Sequence, residues 1–171
     1  GTDERAIVDR VIADQAVANF ARSSELYNVA LRLSPDDPDV RFDVGIADFW
    51  AGNIRLRRGE FELAKSPLEN YAQAMMALYQ EDSANPDYVI ERVYAQQALL
   101  TLAIETASSY TDELASQVAS AVSIASKATL QIPENSDIWD AQLSIANLAA
   151  TGLAQECRYA DTNLLANRQL A

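Results

Sequence analysis

The 171-residue chain contains no histidine and a single cysteine, Cys157. Without histidine, the usual general base at neutral pH and the commonest metal ligand are missing. One cysteine cannot form an intramolecular disulfide, and it cannot build a thiolate zinc site alone. We therefore expect a protein that holds no metal and no other cofactor, and that is not an enzyme.

Basic residues are also scarce, since 13 of them stand against 25 acidic residues and give a net charge of −12. A surface of this kind repels a nucleic-acid backbone or an anionic membrane overall. No apolar run approaches the roughly 18 residues that a membrane-spanning helix needs. The sequence predicts no nucleic-acid partner and no direct membrane insertion, and it leaves the compartment open between cytoplasm and periplasm.

Strand signals are nearly absent, and long segments instead repeat apolar residues at intervals of three and four, which predicts an all-α fold. Three junctions predict helix starts, and they are Ser34–Asp39, Asn85–Asp87 and Ile132–Asp137. In the first two, an aspartate or asparagine cap precedes a proline and then an aspartate. In the third, the cap is either Ser136 or Asn135. With weaker breaks between them, the predicted helices span about 3–20, 22–33, 38–57, 60–82, 86–107, 112–131, 136–150 and 153–169. Residues 3–33 lack a clear turn, so a single long helix is the alternative there.

The junctions recur along the chain. Ala30, Pro35 and Asp37 precede Ala128, Pro133 and Asn135 by 98 residues each, and the middle junction lies between them. A period near 49 residues indicates a stacked helical repeat. We interpret residues 3–171 as one domain with units at about 3–37, 38–85, 86–135 and 136–171. Gly1 and Thr2 are interpreted as a remnant of cloning or proteolysis, and we expect the chain to be part of a larger protein.

Residues 52–68 carry a spaced set of small and aromatic residues, namely Gly52, Gly59, Phe61, Ala64 and Leu68. This set resembles the tetratricopeptide repeat, as do the alanine-to-proline spacing of the junctions and Trp139 after Pro133. The usual repeat is about 34 residues, and the second unit here lacks both glycines. The lengthened units are similar to those attached to large bacterial signalling proteins. The resemblance implies antiparallel helix pairs stacked as a right-handed solenoid of about 7–8 helices.

The same resemblance implies a concave groove lined by the first helix of each pair. Its matching positions here include Phe49, Trp50, Asn53 and Arg57 in one unit, Gln97 and Leu100 in the next, and Asn147 in the last. Asn53 matches an asparagine of family members that bind peptide carboxylates, but the lysines of that clamp are missing. An uncharged or partly basic segment suits this acidic chain better. Core packing between helices is the alternative interpretation of Phe49, Trp50 and Trp139.

Three functions follow as hypotheses. The first is a non-catalytic module that binds a partner peptide or protein segment in the groove. The second is an oligomerisation or spacer domain of a signalling or membrane-anchored protein, in which another copy of the chain pairs through an apolar last helix with Leu153, Tyr159, Leu164 and Leu165. The third is a sensor that holds a small molecule between helices. The sequence alone does not decide among them.

Overall fold

The computed structural model describes the backbone of residues 2–108 and 111–169, and the side chains of residues 10–108 and 111–154. These ranges contain six helices and no strand, so the all-α prediction is confirmed. The helices are α1 (Thr2–Leu33), α2 (Pro38–Arg57), α3 (Phe61–Glu81), α4 (Pro86–Thr106), α5 (Asp112–Gln131) and α6 (Ser136–Gln169). Cys157, Tyr159, Leu164 and Leu165 belong to α6 but lie outside the described side chains.

The prediction of about 7–8 helices was wrong, because α1 and α6 each run without a break. In α6 the helix continues through Thr151 and Gly152, where the sequence predicted a turn. A glycine inside a helix costs only about 1 kcal/mol, and no proline or cap residue follows it to end the helix. The Thr151 hydroxyl instead donates to the Asn147 carbonyl at 2.9 Å, a bond made within the helix.

The predicted helix starts coincide with side-chain caps. Asp37 accepts a hydrogen bond from the Asp39 backbone N–H at 3.0 Å, and Asn85 accepts one from Asp87 at the same distance. Asn135 does the same for Asp137 at 2.9 Å, which decides between the two cap residues predicted there. Each cap satisfies a backbone donor that the first turn of a helix leaves free. These three caps place the starts of α2, α4 and α6 at residues 38, 86 and 136, which are 48 and 50 residues apart.

Glycines set the close packing of α2 against α3. Gly59 closes the turn between them with a φ of 73°, and the Glu60 N–H donates back to the Arg55 carbonyl at 2.9 Å. This is the left-handed helix ending that glycine adopts without strain. Along α2, a Cβ at Gly52 would lie 2.6 Å from Leu68 Cγ, and one at Gly45 would lie 2.4 Å from Met75 Cε. The two helices therefore approach more closely than side chains at these positions would allow.

Pro67 lies inside α3, where its ring nitrogen cannot donate to the carbonyl four residues earlier. That carbonyl belongs to Leu63, and it accepts a hydrogen bond from Arg55 Nη1 of α2 at 3.0 Å. An arginine from the neighbouring helix thus supplies the donor that the proline lacks. Because α3 begins at Phe61, Pro67 lies beyond its first turn.

Helix α4 occupies the centre, because it contacts α2, α3, α5 and α6, whereas α1 contacts α2. Phe42 and Tyr88, near the starts of α2 and α4, have ring centroids 6.0 Å apart, and Leu56 packs against the cluster of Ala98 and Leu102 further on. The two helices therefore run in the same direction. A larger buried cluster joins α4 with α5 and α6. None of the described helices is long and apolar enough to cross a membrane.

Candidate functional site: a groove between two parallel helices

A groove of about 890 Å³ lies between α2 and α4. We call it the α2–α4 groove. Its lining is supplied by the two helices, by the turn between α2 and α3 and by the first residue of α3: Ile46, Phe49, Trp50, Asn53, Leu56, Arg57, Gly59, Phe61, Glu91, Tyr94, Gln97, Ala98, Thr101 and Glu105. Along α4 the groove extends from Glu91 to Glu105, about 21 Å at the helical rise. That length matches about six residues of extended chain.

Four aromatic side chains line the groove, namely Phe49, Trp50, Phe61 and Tyr94. Trp50 is 44% exposed, yet it stacks on Phe20 of α1 with centroids 6.1 Å apart and meets Phe49 edge-on at 5.2 Å. Its ring is therefore fixed from two sides while almost half of its surface stays open. An anchor of this kind loses little side-chain freedom when a ligand covers it, and exposed tryptophans are over-represented among residues that dominate binding.

Polar side chains stand among these rings on both walls. On α2, Arg57 Nε donates to Asn53 Oδ1 at 3.2 Å. On α4, the Thr101 hydroxyl donates to the Gln97 backbone carbonyl at 2.8 Å. The side-chain oxygen of Gln97 is buried and accepts no hydrogen bond from the described residues. An amide offers both a donor and an acceptor, so Asn53 and Gln97 give the groove one such group on each wall.

Glu91 joins the groove to the core behind it. The Tyr71 hydroxyl lies 3.0 Å from the Glu91 backbone carbonyl and also contacts the Glu91 carboxylate. Burial raises the pKa of Glu91 above its ordinary value, and the hydrogen bond from Tyr71 acts against that rise. Burial, followed by the nearby Glu91 charge, also raises the pKa of Tyr71. The result is a carboxyl group on the α4 wall of the groove that is costly to ionise.

Five of the seven residues predicted to line a groove lie in the α2–α4 groove together: Phe49, Trp50, Asn53, Arg57 and Gln97. The other two lie elsewhere. Leu100 is 2% exposed and packs in the cluster with α5 and α6, and Asn147 is exposed on α6. Both therefore lie outside this groove.

The displacement of Leu100 has a simple geometric cause. The α4 wall follows Tyr94, Ala98, Thr101 and Glu105. At 100° per residue, the centre of this face lies about 70° around the helix from Gln97. Leu100 lies about 60° from Gln97 in the opposite direction, so it points away from the groove. Of the two residues predicted on α4, only Gln97 therefore lines the groove, and it lies at the edge of the groove face. The spacing of Tyr94, Thr101 and Glu105 places them on one helical face, but the spacing alone does not show that this face lines a groove.

The second tryptophan is placed differently. Trp139 is 52% exposed near the start of α6, and its Nε1 donates to the Pro133 carbonyl at 2.9 Å. It takes no part in the α2–α4 groove. Trp139 therefore serves as a matched exposed tryptophan outside the candidate site.

Within residues 10–108 and 111–154, no group of three or more cysteine, aspartate or glutamate side chains is placed to hold a metal ion. Comparison with family models, with curated proteins and with solved structures gave no match to this chain. The likeness to tetratricopeptide repeats therefore stays a prediction from the sequence.

Proposed function

We propose that the chain is a non-catalytic protein–protein interaction module whose α2–α4 groove binds a segment of a partner protein. The observation that carries this proposal is Trp50, whose ring packs against Phe20 and Phe49 while almost half of its surface stays exposed. It lies in a groove that is lined by aromatic rings and has an amide side chain on each wall. Clefts with mostly apolar linings and a few placed polar groups are the usual form of a binding site.

The arrangement of the helices supports the proposal. Helices α2, α4 and α6 begin at similar intervals, and α4 contacts both α2 and α6. These three are the helices that the sequence assigns to the first place in each pair. We infer a tetratricopeptide-like, right-handed stack of antiparallel pairs, in which the groove is the concave surface between two successive first helices. Stacked repeats generally present such a surface to their partners.

A peptide selection tests the proposed function. A random peptide display library is selected on the folded protein, and enriched peptides are synthesised and measured by fluorescence anisotropy. We expect Trp50→Ala to weaken their binding by about thirtyfold or more, the effect of losing a dominant contact. Trp139→Ala removes an equally exposed tryptophan outside the groove and should leave affinity unchanged.

Because Trp50 also packs on Phe20, its replacement requires a second variant that disturbs the fold less. Asn53→Ala removes only a groove amide and its hydrogen bond to Arg57, and it should weaken binding by a smaller factor. Circular dichroism checks that each variant is folded. Equal losses for Trp50→Ala and Trp139→Ala, or no enriched peptide at all, would refute a binding groove.

Self-association is the second candidate function, and a different surface favours it. Between residues 10 and 33, where its side chains are described, helix α1 exposes five large apolar side chains: Val11, Ile12, Leu26, Val29 and Leu33. At 100° per residue they fall on one side of the helix, and a patch of this kind is typical of an interface. If two copies pair there, Leu26→Glu should convert a dimer to a folded monomer in light scattering. A single-chain mass for the unaltered protein at all concentrations would exclude this function.

A further inference from the structure

The charges of the α2–α4 groove differ between its two walls. The α2 wall carries one cation, Arg57, which is hydrogen-bonded to Asn53. The α4 wall carries Glu91 and Glu105 and no basic residue. Among the described residues the ion pairs are Arg41–Glu81, Arg58–Asp14 and Arg58–Glu60, so Glu105 lines the groove without forming an ion pair.

The surroundings of Glu105 add to its negative field. Helix α4 ends at Thr106 and has no basic residue in its last turn, so the negative end of its dipole is not neutralised. Glu105 also borders a shallow hollow beside Phe61 and Glu62. A cation there would meet two carboxylates and an aromatic ring, and aromatic faces attract cations. The net charge of −12 draws a basic partner toward the whole chain.

The groove also indicates the conformation of its occupant. Asn53 and Gln97 line opposite walls of the groove, and each carries a side-chain amide. An extended chain has free backbone N–H and C=O groups to offer such amides, whereas a helix has already paired its own.

We propose that the occupant of the α2–α4 groove is an extended basic segment, with an apolar side chain on Trp50 and Phe61 and a lysine or arginine facing Glu105. This inference rests on the proposed function and specifies the partner's chemistry. It adds a preference for basic segments, because a groove of the same shape without Glu105 would bind neutral and basic segments with similar affinity.

The experiment uses two parallel selections from the same random peptide library, one on the unaltered protein and one on Glu105→Lys. We expect lysine and arginine to be enriched by the first and depleted by the second. Glu134→Lys changes the net charge by the same amount at an exposed turn residue outside the groove. It should retain the preference of the unaltered protein.

Synthetic peptides then measure the contact itself. Replacing the basic residue of an enriched peptide by alanine should weaken binding to the unaltered protein about three- to fivefold, as expected for a partly exposed ion pair. The same replacement should change binding to Glu105→Gln less than twofold. Added salt should weaken the basic peptide more than its alanine analogue.

The outcomes separate the two claims. If peptides depend on Trp50 but show no basic preference, the groove is a binding site and this inference is wrong. If Glu134→Lys alters the selection as strongly as Glu105→Lys, the attraction is general and the inference is also wrong. If no enriched peptide depends on Trp50, the proposed function itself fails.

Discussion

Two clefts lie along α4, and they differ in what lines them. The α2–α4 groove has four aromatic rings and an amide on each wall. A second cleft of about 520 Å³, here called the back cleft, lies along α4 between α3 and α5. It is lined by Leu99, Leu102 and Ala103 together with exposed acids such as Glu69 and Glu113. Apolar surface and amide side chains are thus present in both clefts, since Gln96 and Gln117 line the back cleft. The groove differs in its aromatic lining, which has four rings where the back cleft has Phe61 alone.

A small buried cluster separates the two clefts. It consists of Ala64, Leu68, Ala98 and Leu102, with Phe61 packed against it and lining both sides. Leu68 of this cluster also occupies the space above Gly52. The shape of the groove therefore depends on residues of α3 that never face it, and substitutions there test whether the two clefts are separate features.

The largest effect is expected at Leu68, which is fully buried. Leu68→Ala should lower the free energy of unfolding by about 2–5 kcal/mol, because it leaves a cavity between the two clefts. Leu63→Ala, at a position 59% exposed in the same helix, should cost far less. Urea denaturation measures both, and similar losses at the two positions would show that the cluster does not separate the clefts.

Gly52→Ala should have the next largest effect. Its Cβ would lie 2.6 Å from Leu68 Cγ and 3.3 Å from the Ala64 carbonyl oxygen. We expect a net loss of about 1–3 kcal/mol from overpacking, although alanine favours a helix more than glycine does. Gly45→Ala would instead meet the end of the flexible Met75 side chain, so thermal denaturation should show a smaller loss. The reverse order would contradict the described packing of α2 on α3.

The contact between Arg55 and Leu63 predicts an effect of about 1 kcal/mol, the usual net contribution of a hydrogen bond. Arg55→Ala should lose that amount while Pro67 is present. In Pro67→Ala, the backbone at residue 67 regains an N–H that can reach the Leu63 carbonyl, so Arg55→Ala should then cost less. A double-mutant cycle in urea measures the difference. Additive effects would mean that Arg55 does not compensate for the proline.

The smallest expected effect is the pH dependence that Glu91, a residue of the α4 wall, gives to the free energy of unfolding. Burial raises the pKa of Glu91, so the folded state keeps this proton to a higher pH than the unfolded chain does. The contribution of Glu91 to the free energy of unfolding should therefore fall as the pH rises above the ordinary glutamate pKa of about 4.3. Glu91→Gln should weaken that fall, and Glu134→Gln at an exposed turn should not. Burial raises the pKa of Asp48 in the same direction, so part of the fall should remain in Glu91→Gln.

Local chemistry made the helix starts and the α2–α3 turn predictable from the sequence. A cap residue, a proline and an aspartate act within one turn of chain, and Gly59 adopts its left-handed conformation where the sequence predicted a turn. The continuity of α6 through Gly152 was missed, because an isolated glycine ends a helix only when other signals accompany it. The hydrogen bond from Arg55 to the Leu63 carbonyl forms only because α2 and α3 lie close together, and no local sequence pattern predicts that approach.

The sequence predicted most of the residues on the α2 wall of the groove and few of those on the α4 wall. Four of the predicted residues lie on α2, while α4 contributes only Gln97. Helix α4 contacts neighbours on several sides and buries residues around much of its circumference, including Val89, Ile90 and Leu102. Its apolar pattern therefore does not show which face is open, and the position of α2 was needed to identify Tyr94 and Glu105.

The chain has two tryptophans, and their indole N–H signals in a heteronuclear NMR spectrum provide the most direct test of the groove. A library-selected peptide is titrated into the labelled protein, and Trp50→Phe assigns the two signals. If the peptide binds in the α2–α4 groove, the Trp50 signal should shift in proportion to bound peptide while the Trp139 signal stays in place. A shift of Trp139 with Trp50 unmoved would contradict it, because the peptide would then bind outside the α2–α4 groove.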